Sequence, residues 1–501
     1  MTFESSAKPS NQSSFESAQT VQERAVSQSE TVFNQLLEAI GNQLSAHSSR
    51  STQSETHFTL SLAGEDSQFT RFNSAKVRQS GQVRDAQLRL TLMSAQQTTQ
   101  ARLPFTGHFK TDWESAQRIL NDLQADLPYL PEDPYVVLPS AAGQIRSREV
   151  RSGKLIASNA IAKAILSPVS HLDFAGLYAG GITYRAYGDS AGKRHWFEAP
   201  SFTLDYSLFT SSASASSSST SQSGPRQSGL RQSGYKAVKG TLAGQTWNSA
   251  DYQKNIERSQ QQLALLQRPT ESVARGAYRT YLAPAAVADL MDTLMYGGLG
   301  EASLRQGSSA FEKLEQGEAT LSRQFSLGED FQRIGVPRFN EDGLIAPSQL
   351  SVIHQGRWAT SLVNARSAKE YSKRSNAANR SESLRAPVVA PGQLEEAEIL
   401  SALDTGLYLS NLHYLNWSDL HAGRITGMTR YACFWVERGE IVAPIENLRF
   451  DDSFYRFLSE EALLGLTKKQ AFLPAVDTYE RRSLGGIWTP GMLIDQFRYT
   501  L

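Results

Sequence analysis

The sequence predicts an α+β protein with two parts, an N-terminal α/β region and a large β-rich C-terminal domain. Three observations lead there. In the first half, apolar residues at helical spacing stand beside apolar-polar alternations typical of strands. Near the middle, Ser211 to Gly234 is almost wholly Ser, Gly, Gln and Arg, which predicts a flexible loop. Beyond Gly300 the chain turns to Gly, Pro, Asn and short apolar runs, the pattern of strands joined by long loops.

The elements follow in order. Residues 1–29, rich in Ser, Gln and Glu without the basic and apolar regions of a signal peptide, are expected to form a disordered tail. Phe33, Leu36, Leu37, Ile40 and Leu44 predict a helix from about Thr31 to Ala46 behind the cap Ser29. Phe58, Leu60 and Leu62 alternate, as do Leu88, Leu90 and Leu92, with an extended piece from Phe69 to Phe72 between them. Turns are expected at Gly64-Glu65-Asp66 and Ser80-Gly81-Gln82. Residues 30–105 thus read as a first α+β domain.

Residues 106–270 read as a central α/β domain. Thr111-Asp112-Trp113-Glu114 has capping-box form and opens a helix that Pro128 and Pro131 stop. A helix from Ile156 to Leu166 leads into strands Leu172 to Tyr187 and Trp196 to Phe209, and Tyr252, Ile256, Leu263 and Leu266 mark a further helix. Residues 271–501 form the β-rich part. It opens with a strand from Ala277 to Leu282 and a helix beginning at Pro284, with Val287, Leu290, Met291 and Leu294 on one face. The pair Arg438-Gly439 between apolar runs predicts a tight hairpin.

With 501 residues, 40% of them hydrophobic, the chain can bury two or three cores. Fifty basic residues balance fifty acidic ones, so no overall field draws nucleic acid or an anionic membrane. Arg226 and Arg231 in the Ser-rich tract lack the interleaved aromatics of an RNA-binding segment. No apolar run reaches the length of about 18 residues that spans a bilayer. The single cysteine, Cys433, leaves no internal disulfide and fits a reducing cytoplasm, with its thiol packed in an apolar strand.

The run Ile425-Thr426-Gly427, then Cys433-Phe434-Trp435-Val436-Glu437-Arg438-Gly439-Glu440-Ile441, then Pro444 resembles the C-terminal signature of the TldD/PmbA (TldE) metallopeptidase family, once called modulators of DNA gyrase. Phe69 to Ser74, Val363 to Ala368 with Ser375 to Asn379, and Asp404 to Tyr408 are similar to further family segments. The Cys433 to Glu440 run is closer to the TldE/PmbA form than to the TldD form. The resemblance implies the TldD/PmbA fold, whose subunits enclose an internal cavity when two meet. Leu412 to Gly423 looks longer than the family's connection and is expected to be an inserted surface loop carrying His413, Asp419 and His421.

In the catalytic TldD branch the helix after the equivalent of Tyr281-Leu282-Ala283-Pro284 carries His-Glu-x-x-x-His, followed by Gly-Thr-Ser. Two imidazoles near one helical turn apart hold a zinc, and the adjacent glutamate serves as general base. Here the landmark is Gly307-Ser308-Ser309, and counting back places Asp292, Thr293 and Gly297 at the motif positions. Glycine supplies no ligand. None of the eight histidines has another three to five residues away, and the tail from Arg481 holds no cysteine for a third ligand.

The resemblance therefore implies a non-catalytic TldE-like subunit. It has no catalytic or metal-binding residue of its own, and zinc is expected only in a TldD-type partner that cleaves small or unfolded peptides. The alternative is a homodimeric peptide-binding protein without proteolysis. In either case Ser308, Ser309, Asn364, Arg366 and Asn379 are candidates for a peptide groove. A serine hydrolase built on Ser308 or Ser309 would need a Gly-x-Ser-x-Gly context and a nearby histidine, and the sequence has neither. Gly297-Gly298-Leu299-Gly300 follows a helix instead of opening one, which makes it a poor phosphate cradle.

Overall fold

The computed structural model describes residues 12–48, 55–143, 145–210 and 236–500. The Ser-rich tract Ser211 to Gly234 and residues 1–11 of the expected tail lie outside them. The N-terminal unit comprises α1 (Gln12–Ser48), β1 (His57–Asn73), β2 (Lys76–Met93), β3 (Thr98–Pro104), α2 (Phe109–Asp126), β4 (Arg146–Val150), α3 (Ile161–Leu166), β5 (Asp173–Asp189), β6 (Arg194–Phe209), β7 (Ala237–Gly244) and α4 (Ser249–Leu266). Its strands form one sheet in the order β3-β2-β1-β5-β6-β4, with β7 also on β6. Alternation aims Leu60, Leu62, Leu88, Leu90 and Leu92 at one face. There they pack with Phe33, Leu36, Leu37 and Ile40 of α1 and Leu120 and Leu123 of α2. Farther along, Tyr178, Leu204 and Tyr206 pack with Ile165 of α3 and Tyr252 and Ile256 of α4. Because β1 pairs with β5, residues 30–105 and 106–270 share this sheet.

Three expectations fail locally. The first helix begins at Gln12, not near Thr31; its early turns are polar, so no apolar stripe announces them, yet Val26 is buried against the sheet. β1 runs straight through Gly64-Glu65-Asp66, and β2 through Ser80-Gly81-Gln82. The turn instead falls at Ser74 and Ala75, both at positive φ. Gly64 is a packing glycine: a Cβ there would lie 2.3 Å from Tyr184 Cζ. Helix α2 begins at Phe109 ahead of the expected cap Thr111. The Asp112 carboxylate folds back to accept from the Thr106 and Gly107 N–H groups at 2.8 and 2.9 Å.

The C-terminal unit begins with β8 (Gly276–Leu282), α5 (Pro284–Met295), α6 (Glu301–Arg305), α7 (Glu312–Glu315), β9 (Leu327–Asp330), β10 (Gln349–His354), β11 (Arg357–Trp358), α8 (Ala365–Glu370), β12 (Pro387–Val389) and α9 (Ile399–Leu403). It continues with β13 (Gly406–Asp419), β14 (Arg424–Glu437), β15 (Glu440–Pro444), β16 (Arg449–Ser453), α10 (Phe454–Phe457), β17 (Leu463–Pro474) and β18 (Gly486–Tyr499). The sheet order is β11-β10-β9-β12-β18-β16-β14-β13-β8, and β8 pairs again with β18. Strands β18, β16, β14, β13 and β8 therefore close on themselves. Ala286, Val287, Leu290, Met291 and Leu294 of α5 pack in one core with Leu407, Leu409, Ile425, Phe450, Met492 and Phe497 of these strands. The expected insertion at Leu412 to Gly423 is mostly strand: β13 pairs with β14 as far as Asp419 opposite Arg424, through three register shifts. The hairpin at Arg438-Gly439 forms as expected, with φ of 49° and 80°. Among the described residues no helix is long and apolar enough to cross a membrane.

Candidate functional site

Helix α5 is set by sequence at both ends. Pro284 occupies its first turn after an extended Ala283, and Gly298 at φ 87° turns the chain away beyond it. Asp292 lies on its exposed side, and the Thr293 hydroxyl donates to the Asp289 carbonyl at 3.4 Å. Gly297 is buried. A Cβ on it would lie 2.5 Å from Trp417 Cζ2, 2.9 Å from the Leu294 carbonyl oxygen and 3.2 Å from Phe311 Cε2. Trp417 is itself held, packed edge-on against Phe454, which lies 5.0 Å from the Phe311 ring. The core as built has no room for an imidazole there.

These residues do not fit zinc. They offer one exposed carboxylate, one hydroxyl engaged with the backbone and a glycine. Among the described residues no group of three or more His, Cys, Asp or Glu could hold a metal ion.

One group on α5 escaped the sequence reading. Asp289 accepts the Leu412 N–H at 2.9 Å, and burial pushes its carboxyl up to about 6. That hydrogen bond and the charge of Lys239 oppose the shift, while the like charge of Asp292 adds to it. Its only sequence signal is an acid set between the buried positions Ala286 and Leu290.

The five groove candidates do not converge. Ser308 is exposed and donates to the Ser303 carbonyl at 3.3 Å. Ser309 is buried, donates to the Gly298 carbonyl at 2.6 Å and accepts the Phe311 N–H at 3.0 Å, which makes it a turn staple. Asn364 caps α8, accepting the Ser367 N–H at 2.8 Å and donating to the Arg380 carbonyl at 3.2 Å. Arg366 pairs with Asp133. Asn379 is held within its own turn by the Ser383 hydroxyl and N–H, both at 2.9 Å.

Of the five, Asn364 and Arg366 line a cleft of about 420 Å³ between the N-terminal sheet and the C-terminal loops. Cys433 is buried, donates to the Arg430 carbonyl at 3.2 Å, and burial pushes its thiol up to about 11. His413 and His421 are exposed at opposite ends of the β13–β14 hairpin's outer part.

Residues 275–500 match the PmbA/TldA metallopeptidase C-terminal domain. Among curated proteins, none matches the chain by sequence. Among solved structures, TldE from Thermococcus kodakarensis is similar with a TM-score of 0.72 at 12% identity, covering 92% of this chain and 99% of that one. A Thermotoga maritima protein named as a candidate modulator of a DNA gyrase gives 0.69 at 13% identity, covering 92% of this chain and all of its own length. A Bacteroides thetaiotaomicron protein named in the same way gives 0.70 at 12% identity, covering 94% of this chain and 98% of its own. At such identities the structures show a shared fold, and the matched C-terminal domain carries the kinship. Residues 275–500 belong to the PmbA/TldA metallopeptidase C-terminal domain family, and the chain as a whole shares the fold of the TldE structure.

Proposed function

We propose that the chain is a TldE-like, non-catalytic subunit, a pseudoenzyme, of a zinc metallopeptidase complex that degrades small or unfolded peptides, with zinc supplied by a TldD-type partner. The observation that carries this reading is Gly297 packed beneath Trp417. Where the catalytic branch needs a second imidazole, this chain has placed an indole, so α5 serves as a packing helix. A peptidase needs a metal-activated water or a nucleophile beside a base, and Asp292, Thr293 and the stapled Ser309 supply neither. A cytoplasmic location belongs to the same reading, carried by the single buried cysteine.

The test is co-expression with a TldD-type subunit, followed by affinity capture and assay on an unstructured peptide. The expected result is a stable complex whose hydrolysis is lost when the complex is stripped of zinc. Hydrolysis by the isolated chain sinks the proposal. Self-association with metal-independent peptide binding, and no capture of the partner, replaces it with the homodimeric reading.

A further inference from the structure

Strands β1 to β3 present two different faces. One is the leucine face on α1 and α2. The other carries the cross-strand rows Thr59-Thr91-Gln100 and Ser61-Arg89-Arg102. This polar face is roofed by loops of the C-terminal unit, which leaves the cleft of about 420 Å³ and a neighbouring one of about 490 Å³, with Tyr187 lining both.

The charges along this seam do not balance. The larger cleft is lined by five arginines against Glu341 and Glu480. Three of the five are engaged. Arg185 donates to the Tyr184 carbonyl, Arg385 to the Phe339 carbonyl, and Arg481 to Asp85.

Arg89 and Arg102 stand opposite each other on paired strands. Among the described residues no carboxylate pairs with either. Like charges placed so are destabilising, and burial together with the charges of Arg102 and Arg380 pulls the Arg89 guanidinium below its ordinary value, against the smaller opposing effect of Glu341. In the smaller cleft Arg366 and Arg380 are neutralised by Asp133 and Asp342. Lys193 also lines that cleft and is only 3% exposed; its backbone N–H donates to the Asp189 carboxylate at 3.0 Å, and among the described residues no carboxylate pairs with its ammonium. A buried lysine, a half-buried arginine and an exposed arginine at the rim, none of them in an ion pair among the described residues, form a site suited to anions.

The shape narrows the occupant. β3 is the last strand of its sheet and, among the described residues, pairs only with β2. Thr98, Thr99 and Gln100 line one cleft and Arg102 the other. A strand edge with unpaired backbone groups beside both clefts suits an extended chain. Met93, Val136 and Leu344 add apolar wall to the smaller one. We propose that this seam binds an acidic peptide segment, extended along β3, with its carboxylates held by Arg89, Arg102 and Lys193. The proposal stands on this chain alone and does not rest on the pairing with a zinc-bearing subunit.

The experiment uses the full chain and fluorescein-labelled hexaglutamate, read by anisotropy at low ionic strength, with hexalysine and a Gly-Ser hexapeptide as controls. Hexaglutamate is expected to bind, the controls not, and binding should weaken as salt rises. R89Q/R102Q should weaken it roughly tenfold or more, the loss of two charge-assisted contacts, with a melting temperature unchanged or raised because a repulsion is removed. K193M is the second variant and should also weaken binding. Failure of hexaglutamate to bind, or equal binding by both variants and the parent, overturns the proposal. Tight binding of inorganic tripolyphosphate without hexaglutamate binding overturns it too, since the site would then be one for small phosphates.

Discussion

Arg482, in the loop between β17 and β18, forms a buried ion pair with Glu65 in the middle of β1, Nε to Oε2 at 3.4 Å with both side chains at most 3% exposed. The guanidinium also donates to the Ser67 hydroxyl at 2.8 Å, the Ser201 carbonyl at 2.9 Å and the Gly181 carbonyl at 3.0 Å. Ser67 in turn donates to Glu65 at 2.7 Å. One side chain thus ties the C-terminal unit to three adjacent strands of the N-terminal sheet.

Removing it leaves Glu65 charged and buried. Arg482→Ala should therefore cost about 3 to 5 kcal/mol in denaturant unfolding, the usual penalty for orphaning one member of a buried pair. A loss below about 1 kcal/mol, the scale of an exposed pair, would show that the contact does not hold the units together.

The zinc motif should resist being rebuilt. Asp292→His, Thr293→Glu and Gly297→His together restore the letters of the family motif, yet the third forces a side chain against Trp417 and the Leu294 carbonyl. Overpacking of this kind costs about 1 to 3 kcal/mol or more. The triple variant should be destabilised and take up no stoichiometric zinc, measured by titration with a zinc indicator. Tight, one-to-one zinc binding by a stable triple variant would show that α5 remains a metal helix.

Asp289 gives the fold a pH signature. The native state holds its proton to about pH 6, whereas the unfolded chain releases it near the ordinary aspartate value of 3.8. Between those values the native state binds more protons, so this group's favourable contribution, complete at low pH, is lost as pH rises through about 6. Relative to Asp289→Asn, the parent should lose at most about 3 kcal/mol of stability between pH 4 and pH 7. The stability difference between the two proteins, read by urea unfolding across that range, should move in that direction. A flat difference would place the carboxyl in water.

Cys433 should be inert. With its thiol buried and pushed up to about 11, iodoacetamide at pH 8 should label it only after denaturant is added. Rapid labelling of the native protein, followed by mass spectrometry, would contradict its packing role.

Much of the fold was legible because local patterns decide it. The Arg438-Gly439 hairpin, the Pro284 helix start and the alternation of Phe202, Leu204, Tyr206 and Leu208 each follow from a few adjacent residues. The misreadings have a common cause. Gly64 and Gly81 look like turn residues in sequence, but Gly64 clears space for Tyr184, a partner on another strand. Leu412 to Gly423 reads as an insertion because it is longer than the family's connection, but most of it extends β13, with register shifts between His413 and Asn416 and between Trp417 and Asp419.

The site shows the same limit. Counting along the chain places Asp292, Thr293 and Gly297 at the end of α5, but the indole that closes the position comes from residue 417. The alternation of Leu88, Leu90 and Leu92 implies that Arg89 points the other way. Only tertiary structure shows that this other face is roofed and shares its clefts with Lys193.

The most direct test of the account is the zinc content of the purified full chain by mass spectrometry of the metal, measured alone and again in complex with a TldD-type subunit. The account predicts far less than one zinc per chain alone, and one zinc per heterodimer in the complex, matching the appearance of peptidase activity. One zinc per isolated chain, retained through gel filtration, would contradict it.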